Sequence, residues 1–230
     1  NKVSTFGINH INLKAESKKL KEQNQTDKLN NDDLVNNNSN SDYVHLHNNS
    51  QFSVLQSTTK ISDLVKKTAD YKMNAVALTD KANMMGCFHF YRAVKNYNDA
   101  LENNDQKIKP ILGCELNVCD NRLDKSYRDD GYQIVFLAKN KLGYENLMKM
   151  CSIGYTEGFY YVPRIDKDLV KKYKEGLIVL SGSKYGEISN KIINVGEKQA
   201  LDACLWWKEI FMSDFYLEMN IHGEEENEII

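Results

Sequence analysis

The sequence predicts an α/β fold in which parallel strands, joined by right-handed helical crossovers, close into a barrel. Three observations carry this reading. From Tyr43 onward, short β-branched apolar runs alternate with stretches of helical periodicity. Runs such as PILGC and LIVLS are apolar without alternation, as strands buried on both faces require. Polar residues able to do chemistry recur after strand after strand, as at one mouth of a barrel, which favours a barrel over an open doubly wound sheet.

At the start of the chain, INLKAESKKLKEQ has the pattern of a short amphipathic helix, and TDKLNNDDLVNNNSNS is Asn-rich and nearly devoid of apolar residues. Such a run cannot offset its ordering entropy by burial, so residues 23–41 are expected to form a disordered linker. Residues 1–41 therefore read as an interdomain segment and 42–230 as the folded domain. VHLH reads as a first strand over 44–47, which places His45 and His47 on one face with Asn49 next along it. ISDLVKKTADYKM sets Ile61, Leu64, Val65 and Thr68 on one helical stripe. AVALT over 75–79 is a second strand. A helix over 85–97 comes next, with Phe88, Tyr91 and Val94 as its apolar face. PILGCELNV (110–118), YQIVFLA (132–138), GLIVLS (176–181) and FYLEM (215–219) complete six strands, with helices over 144–151 and on both sides of Gly196. Trp207 is expected in the core and Trp206 partly exposed.

Composition bounds the function. A chain of 230 residues with 41% hydrophobic and 10% aromatic content can bury a sizeable core. Its 30 basic and 32 acidic residues leave a formal charge of -2, so no strong global field draws it to nucleic acid or an anionic membrane. No apolar run approaches the roughly 20 residues that span a bilayer, and no charged-then-apolar leader opens the chain. A cytoplasmic protein without membrane contact is expected. The five cysteines are odd in number, and Cys114 and Cys119 lack CxxC spacing, which argues for reduced, mostly buried thiols. The chain opens at Asn1 rather than Met, the expectation being an internal piece of a longer polypeptide.

The strand ends collect a constellation. His45 and His47 lie on the first strand, Asp80 and Lys81 come after the second, Glu115 lies on the third, Gln133 begins the fourth and Ser183 comes after the fifth. Imidazoles and carboxylates converging from separate strands are how barrels hold divalent cations. Here an ammonium and amides stand among them. Like charges about 4 Å apart repel by on the order of 4 kcal/mol in a protein-like dielectric, so Lys81 opposes a dication beside it. Lys81 is expected instead to neutralise Asp80 and Glu115, with a single weak ion on His45, His47 and Glu115 as the alternative. Other features take plainer readings: His89 as a packed or surface residue, DLVKKYKEG as a solvated face, and Glu224 to Glu226 as the first turn of a helix. SGSKYGE lacks the spacing of a phosphate-binding loop.

Seven segments, HLHNNSQFSVLQ, ALTDKANMMGCFHFYRA, KPILGCELNVC, YQIVFLAKNKLGYENLMKM, EGFYYVPRID, GLIVLSG and DFYLEMNIHG, occur in this order. Together they resemble the PHP (polymerase and histidinol phosphatase) domain at the front of the bacterial DNA polymerase III alpha subunit. FGINHINLKAESKKL before a polar linker further resembles the subset of those polymerases with a proofreading exonuclease domain ahead of the PHP domain. The resemblance implies a distorted, TIM-barrel-like (β/α)7 PHP barrel, here lacking its last strand. Its unpaired edge would leave the isolated chain marginally stable or prone to aggregate.

The resemblance also implies a ligand set, since intact members bind a metal cluster and hydrolyse phosphoesters. Matched position by position, His47 stands at the first histidine of the HxH pair and Asn49 at the second. Gln56 stands at the acidic ligand, Lys81 at the histidine after TD and Glu115 at the GCE glutamate, with Gln133 and Ser183 at later ligand positions. His222 matches a histidine-glycine turn of structural or peripheral role. So depleted a set implies a degenerate, non-catalytic scaffold with a vestigial cluster of His45, His47, Asp80 and Glu115 and no metal or cofactor of its own. Its parent would be a DNA-directed DNA polymerase using Mg. Its partners would be palm and thumb domains, a proofreading exonuclease, DNA and replisome subunits. The alternative is a metal-dependent PHP phosphoesterase or 3'-5' exonuclease holding Zn or Mn.

Overall fold

The computed structural model describes residues 43–102 and 107–219. The chain divides into two units, Asn1–Asn40 and Ser41–Ile230, and the described residues belong to the second. The readings made for residues 1–41, His222 and Glu224 to Glu226 lie outside the described residues.

Helix α1 (Ile61–Asp70) buries Ile61, Val65 and Thr68, the stripe anticipated from spacing. Strand β1 (Ala75–Leu78) is buried at all its positions. Helix α2 (Cys87–Asp99) buries Cys87, Phe90 and Val94, while Phe88 and Tyr91 are 67% and 49% exposed. The expected apolar face of α2 thus holds at Val94 and fails at Phe88 and Tyr91. Two stripes of this helix carry helical spacing, and the one that packs with Ile61, Val65, Val76 and Leu78 is set by tertiary contact rather than by period.

Strands β2 (Lys109–Cys119) and β3 (Tyr132–Ala138) lead into α3 (Lys141–Thr156), whose N-terminus is capped by Asn140 accepting from Gly143 N. The short β4 (Arg164–Asp166) ends in Asp166, which caps α4 (Lys167–Tyr173) by accepting from Leu169 N. Strand β5 (Leu177–Leu180), helices α5 (Glu187–Asn194) and α6 (Glu197–Phe211) and strand β6 (Phe215–Tyr216) complete the described residues.

The sheet has the order β1-β2-β3-β5-β6, with β4 paired to β2. β1 and β2, β2 and β4, and β5 and β6 pair in parallel, but β3 runs against both of its neighbours. The expectation of a wholly parallel sheet is therefore corrected. Residues 120–131 join β2 to β3 through turns alone, without a helix, so nothing carries the chain back to the far end for a parallel return. The structure is a mixed α/β sheet of mostly parallel strands.

The expected first strand is also corrected. Ala77 N donates to His45 O at 2.9 Å and Thr79 N to Asn48 O at 2.8 Å, so three steps along this segment oppose two along β1. The extra residue acts as a bulge does, turning side chains that strict alternation would align. β4 was not anticipated, because three residues are too few to show a period.

Two buried polar groups hold the periphery. Glu187, on α5, accepts from Lys167 Nζ (2.7 Å), Lys191 Nζ (2.7 Å) and Trp207 Nε1 (2.8 Å). Burial works to raise its carboxyl pKa, but the two ammonium groups and the indole outweigh it and the pKa is lowered. Trp207 is buried as expected. Trp206 is half-buried, with Lys167 Nζ 4.6 Å from its ring. Arg164, only 1% exposed, donates to the carbonyls of Gly158 (3.0 Å), Asp129 (3.0 Å), Arg122 (3.2 Å) and Asp124 (2.9 Å). It thereby fixes the turns between β2 and β3. Arg164→Met keeps much of the stem but strands these carbonyls, and hydrogen bonds from charged donors are worth about 1.5–3 kcal/mol each. The expected loss is about 3 kcal/mol or more, read as a lower urea midpoint. A midpoint within error of the parent would contradict this role.

Candidate functional site

The site forms where the segment before β1, the middle of β2 and the residues after β6 meet. Lys81 and Glu115 form an isolated parallel bridge, with Glu115 N donating to Asp80 O (3.1 Å) and Ala82 N to Glu115 O (2.7 Å). This pins the Glu115 side chain, almost fully buried, beside the loop that leaves β1.

His47 lies between two carboxylates. Its Nε2 is 2.9 Å from Glu115 Oε2 and its Nδ1 2.7 Å from Glu218 Oε1. Lys81 Nζ is 3.8 Å from Glu115 Oε1. The Gln133 amide, oriented by its partners, donates to Glu115 Oε1 at 3.2 Å and accepts from Lys81 Nζ at 2.8 Å. Glu218 is in turn positioned by its own N–H, which donates to Ser181 Oγ at 2.9 Å. Burial of the imidazole disfavours its charge, but hydrogen bonds and charge attraction from Glu115 and Glu218 prevail, raising its pKa from 6.5 to about 9. At neutral pH two cations, His47 and Lys81, thus face two carboxylates, Glu115 and Glu218.

Asp80 lies in a separate nest. Its Oδ1 accepts from Ser50 N (2.6 Å) and Ser53 Oγ (2.7 Å), and its Oδ2 from Ser50 Oγ (2.8 Å). Ser53 Oγ also accepts from Lys81 N at 2.9 Å. A side chain at Gly86 would meet Asp80 Oδ2 at 2.7 Å, so glycine is what lets α2 begin against this carboxylate. The expectation that Lys81 neutralises both Asp80 and Glu115 is corrected: its ion pair among the described residues is to Glu115, and serine hydroxyls satisfy Asp80.

Of the residues singled out from sequence, the structure joins His47, Lys81, Glu115 and Gln133, with Asp80 adjoining through the backbone. His45 is exposed and packs edge-on against Tyr43, with ring centroids 4.8 Å apart, because the bulge separates it from His47. Gln56 is exposed on the loop before α1. Ser183 contributes its carbonyl to a turn through Gly186 N, and the serine at the cluster is Ser181. Asn49 is half-buried, with its Oδ1 buried and unpartnered, as is Glu218 Oε2. His89, exposed, stacks on Phe52. Glu218 was missed, although the rule that picked out Asp80 and Glu115, an acid at a strand end, applies equally to FYLEM. Among the described residues no three His, Cys, Asp or Glu side chains are grouped to hold a metal ion.

The chain belongs to the PHP domain family, whose sequence pattern matches residues 45–222. That match spans both the His47 segment and the Glu115 strand. Within the family the chain is similar to DNA polymerase III subunit alpha of Borreliella burgdorferi, with 41% identity over 175 residues, 74% of this chain and 14% of that protein. The same subunit of Chlamydia trachomatis serovar D is 37% identical over 176 residues, 75% of the chain and 13% of that protein. That of Deinococcus radiodurans is 35% identical over 175 residues, 71% of the chain and 12% of that protein. The chain thus spans about one-seventh of the length of these relatives.

His47 links the cluster to stability. A pKa raised from 6.5 to about 9 adds stability that is fully present below pH 6.5 and is lost as pH rises through 9. At about 1.4 kcal/mol per pH unit the loss is on the order of 3 kcal/mol. Urea unfolding between pH 6 and pH 10 is expected to show this loss in the parent, and a curve flatter by that amount in His47→Gln. Parallel curves for the two proteins would contradict the assignment.

Proposed function

We propose that this PHP domain serves within a replicative DNA polymerase alpha subunit as a metal-free structural scaffold. The observation that carries this reading is the self-neutralising cluster. Both His47 nitrogens are engaged by carboxylates, and the other oxygen of Glu115 faces the Lys81 ammonium. A resident Zn or Mn would have to displace the proton that His47 shares with Glu115 and Glu218 and would lie beside the Lys81 ammonium, which repels a dication. Positions that would carry ligands hold Asn49, Gln56, Gln133 and Ser183, amides and a hydroxyl that bind such ions weakly. In this reading DNA synthesis with Mg belongs to other parts of the parent subunit. The domain itself is non-catalytic, forms a distorted (β/α)7 barrel lacking its last strand in this chain, and docks palm, thumb or proofreading exonuclease modules in the cytoplasm. No helix among the described residues is long and apolar enough to cross a membrane.

One observation favours a second reading, that of a metal-dependent phosphoesterase or 3'-5' exonuclease. Asn49 Oδ1 and Glu218 Oε2 are buried without partners, and buried oxygens of this kind are where a bound ion or water would be satisfied. Elemental analysis separates the two. Protein purified without chelators is expected to carry well under one equivalent of any transition metal and to melt at an unchanged temperature in EDTA. A stoichiometric metal whose removal abolishes hydrolysis of DNA 3' ends would overturn the scaffold reading.

A further inference from the structure

Helix α4 carries lysines that reach aromatic rings on both of its flanks. Lys171 Nζ lies 5.6 Å from the Trp206 ring of α6, and the next residue, Lys172, places its Nζ 5.3 Å from the Tyr173 ring. Lys149 Nζ approaches the same tyrosine from α3, at 5.8 Å. Lys174 Nζ donates to Ile210 O at 3.4 Å, which holds the end of α4 against α6. Beside Tyr173 an open groove of about 370 Å³ runs between α3 and α4, lined also by Glu145, Met148, Lys149, Ser152 and Ile153. We propose that this face binds single-stranded DNA, its lysines holding phosphates while bases stack on Trp206 and in the groove at Tyr173.

Both rings are half-buried, so each is anchored yet reachable. Trp206 stands edge-on against the buried Trp207, with ring centroids 4.8 Å apart, and Tyr173 packs against the main core. Rings already fixed in place lose little freedom on binding. The charge here suits a polyanion, although that of the whole chain does not. Lys149, Lys171, Lys172 and Lys174 are exposed and outweigh Asp168 and Glu175 on the same face. Lys167 is committed to Glu187, and Glu145 at the groove is offset by Lys141 at 3.8 Å. A helix dipole favours lysine in a last turn, which accounts for Lys171 and Lys172 but not for Lys149 or for the rings.

Phosphates draw the ammonium groups off the ring faces, and the exchange favours the strand, because a base stacked on an aromatic face outweighs an exposed cation–π contact. Paired bases in a duplex offer no free face, so the rings select a single strand. That the strand is DNA rests on the reading of this domain as part of a DNA polymerase subunit. The face itself is independent of whether the cluster at His47 holds metal.

The 230-residue chain is titrated, in EDTA, into fluorescein-labelled oligothymidylate of roughly 16 nucleotides and followed by anisotropy. A parallel titration with unlabelled strand follows tryptophan emission. Saturable binding is expected, weakening with salt at a log–log slope of about -2 for three phosphate contacts, together with quenching of Trp206. Lys171→Gln with Lys172→Gln, both at exposed positions, is expected to lower affinity by about tenfold and flatten the slope to about -0.7. Tyr173→Ala is expected to cost about tenfold with the slope unchanged. Trp206→Phe is expected to remove the quenching, since Trp207 is buried. Should Tyr173→Ala not fold, the lysine pair and Trp206→Phe decide. Absence of binding at low salt, an affinity and slope unchanged by the lysine pair, or unquenched emission at saturation would overturn the proposal. So would oligouridylate, duplex DNA or phosphatidylserine vesicles bound more tightly than oligothymidylate. Any of these failures leaves the scaffold reading standing, since metal content tests that separately.

Discussion

The domain depends on one imidazolium held between two carboxylates. His47 reaches Glu115 and Glu218 across 68 and 171 positions of sequence, so a single ring ties the entry segment, the central strand and the chain beyond β6. Removing one partner of a buried ion pair leaves an uncompensated charge and costs about 3–5 kcal/mol, whereas the intact pair adds little net stability over an apolar replacement. What the cluster supplies is therefore geometric definition at the site more than raw stability. Lys81 and Gln133 complete it by satisfying the second oxygen of Glu115.

A catalytic metal cluster and this arrangement solve the same electrostatic problem. Acidic groups crowded at the end of a sheet repel one another unless positive charge lies between them. A metal site supplies that charge as a dication with open coordination positions. Here side chains supply it, with both ring nitrogens of His47 and the Lys81 ammonium engaged by carboxylates. Asp80 shows a third solution, in which serine hydroxyls and a backbone N–H absorb the charge without any cation.

Much of this was legible in the sequence, for identifiable reasons. Continuous apolar runs located β2, β3 and β5 because burial on both faces leaves no polar position to blur them. The stripe Ile61, Val65 and Thr68 was legible because only one phase of α1 is apolar, while α2 has two and was misread. The reversal of β3 lay hidden in what residues 120–131 lack, a helix pattern, and the buried Arg164 that organises them looks in sequence like any surface arginine. His47, Lys81, Glu115 and Gln133 were found by asking which polar residues lie at strand ends. His45 was misplaced because a bulge leaves no mark in a four-residue run. Glu218 escaped although FYLEM reads as a strand, because the constellation gathered from strand ends stops at Ser183 after the fifth.

The central claim is that the positive charge between Glu115 and Glu218 is carried by protonated His47. Nitrogen NMR of the His47 ring at pH 7.5, on protein prepared without chelators, measures this directly. The account predicts that both ring nitrogens carry protons and remain so until the pH nears 9, the pKa set by Glu115 and Glu218. A ring with one unprotonated nitrogen at pH 7.5, whether neutral or bound to a metal, would contradict it.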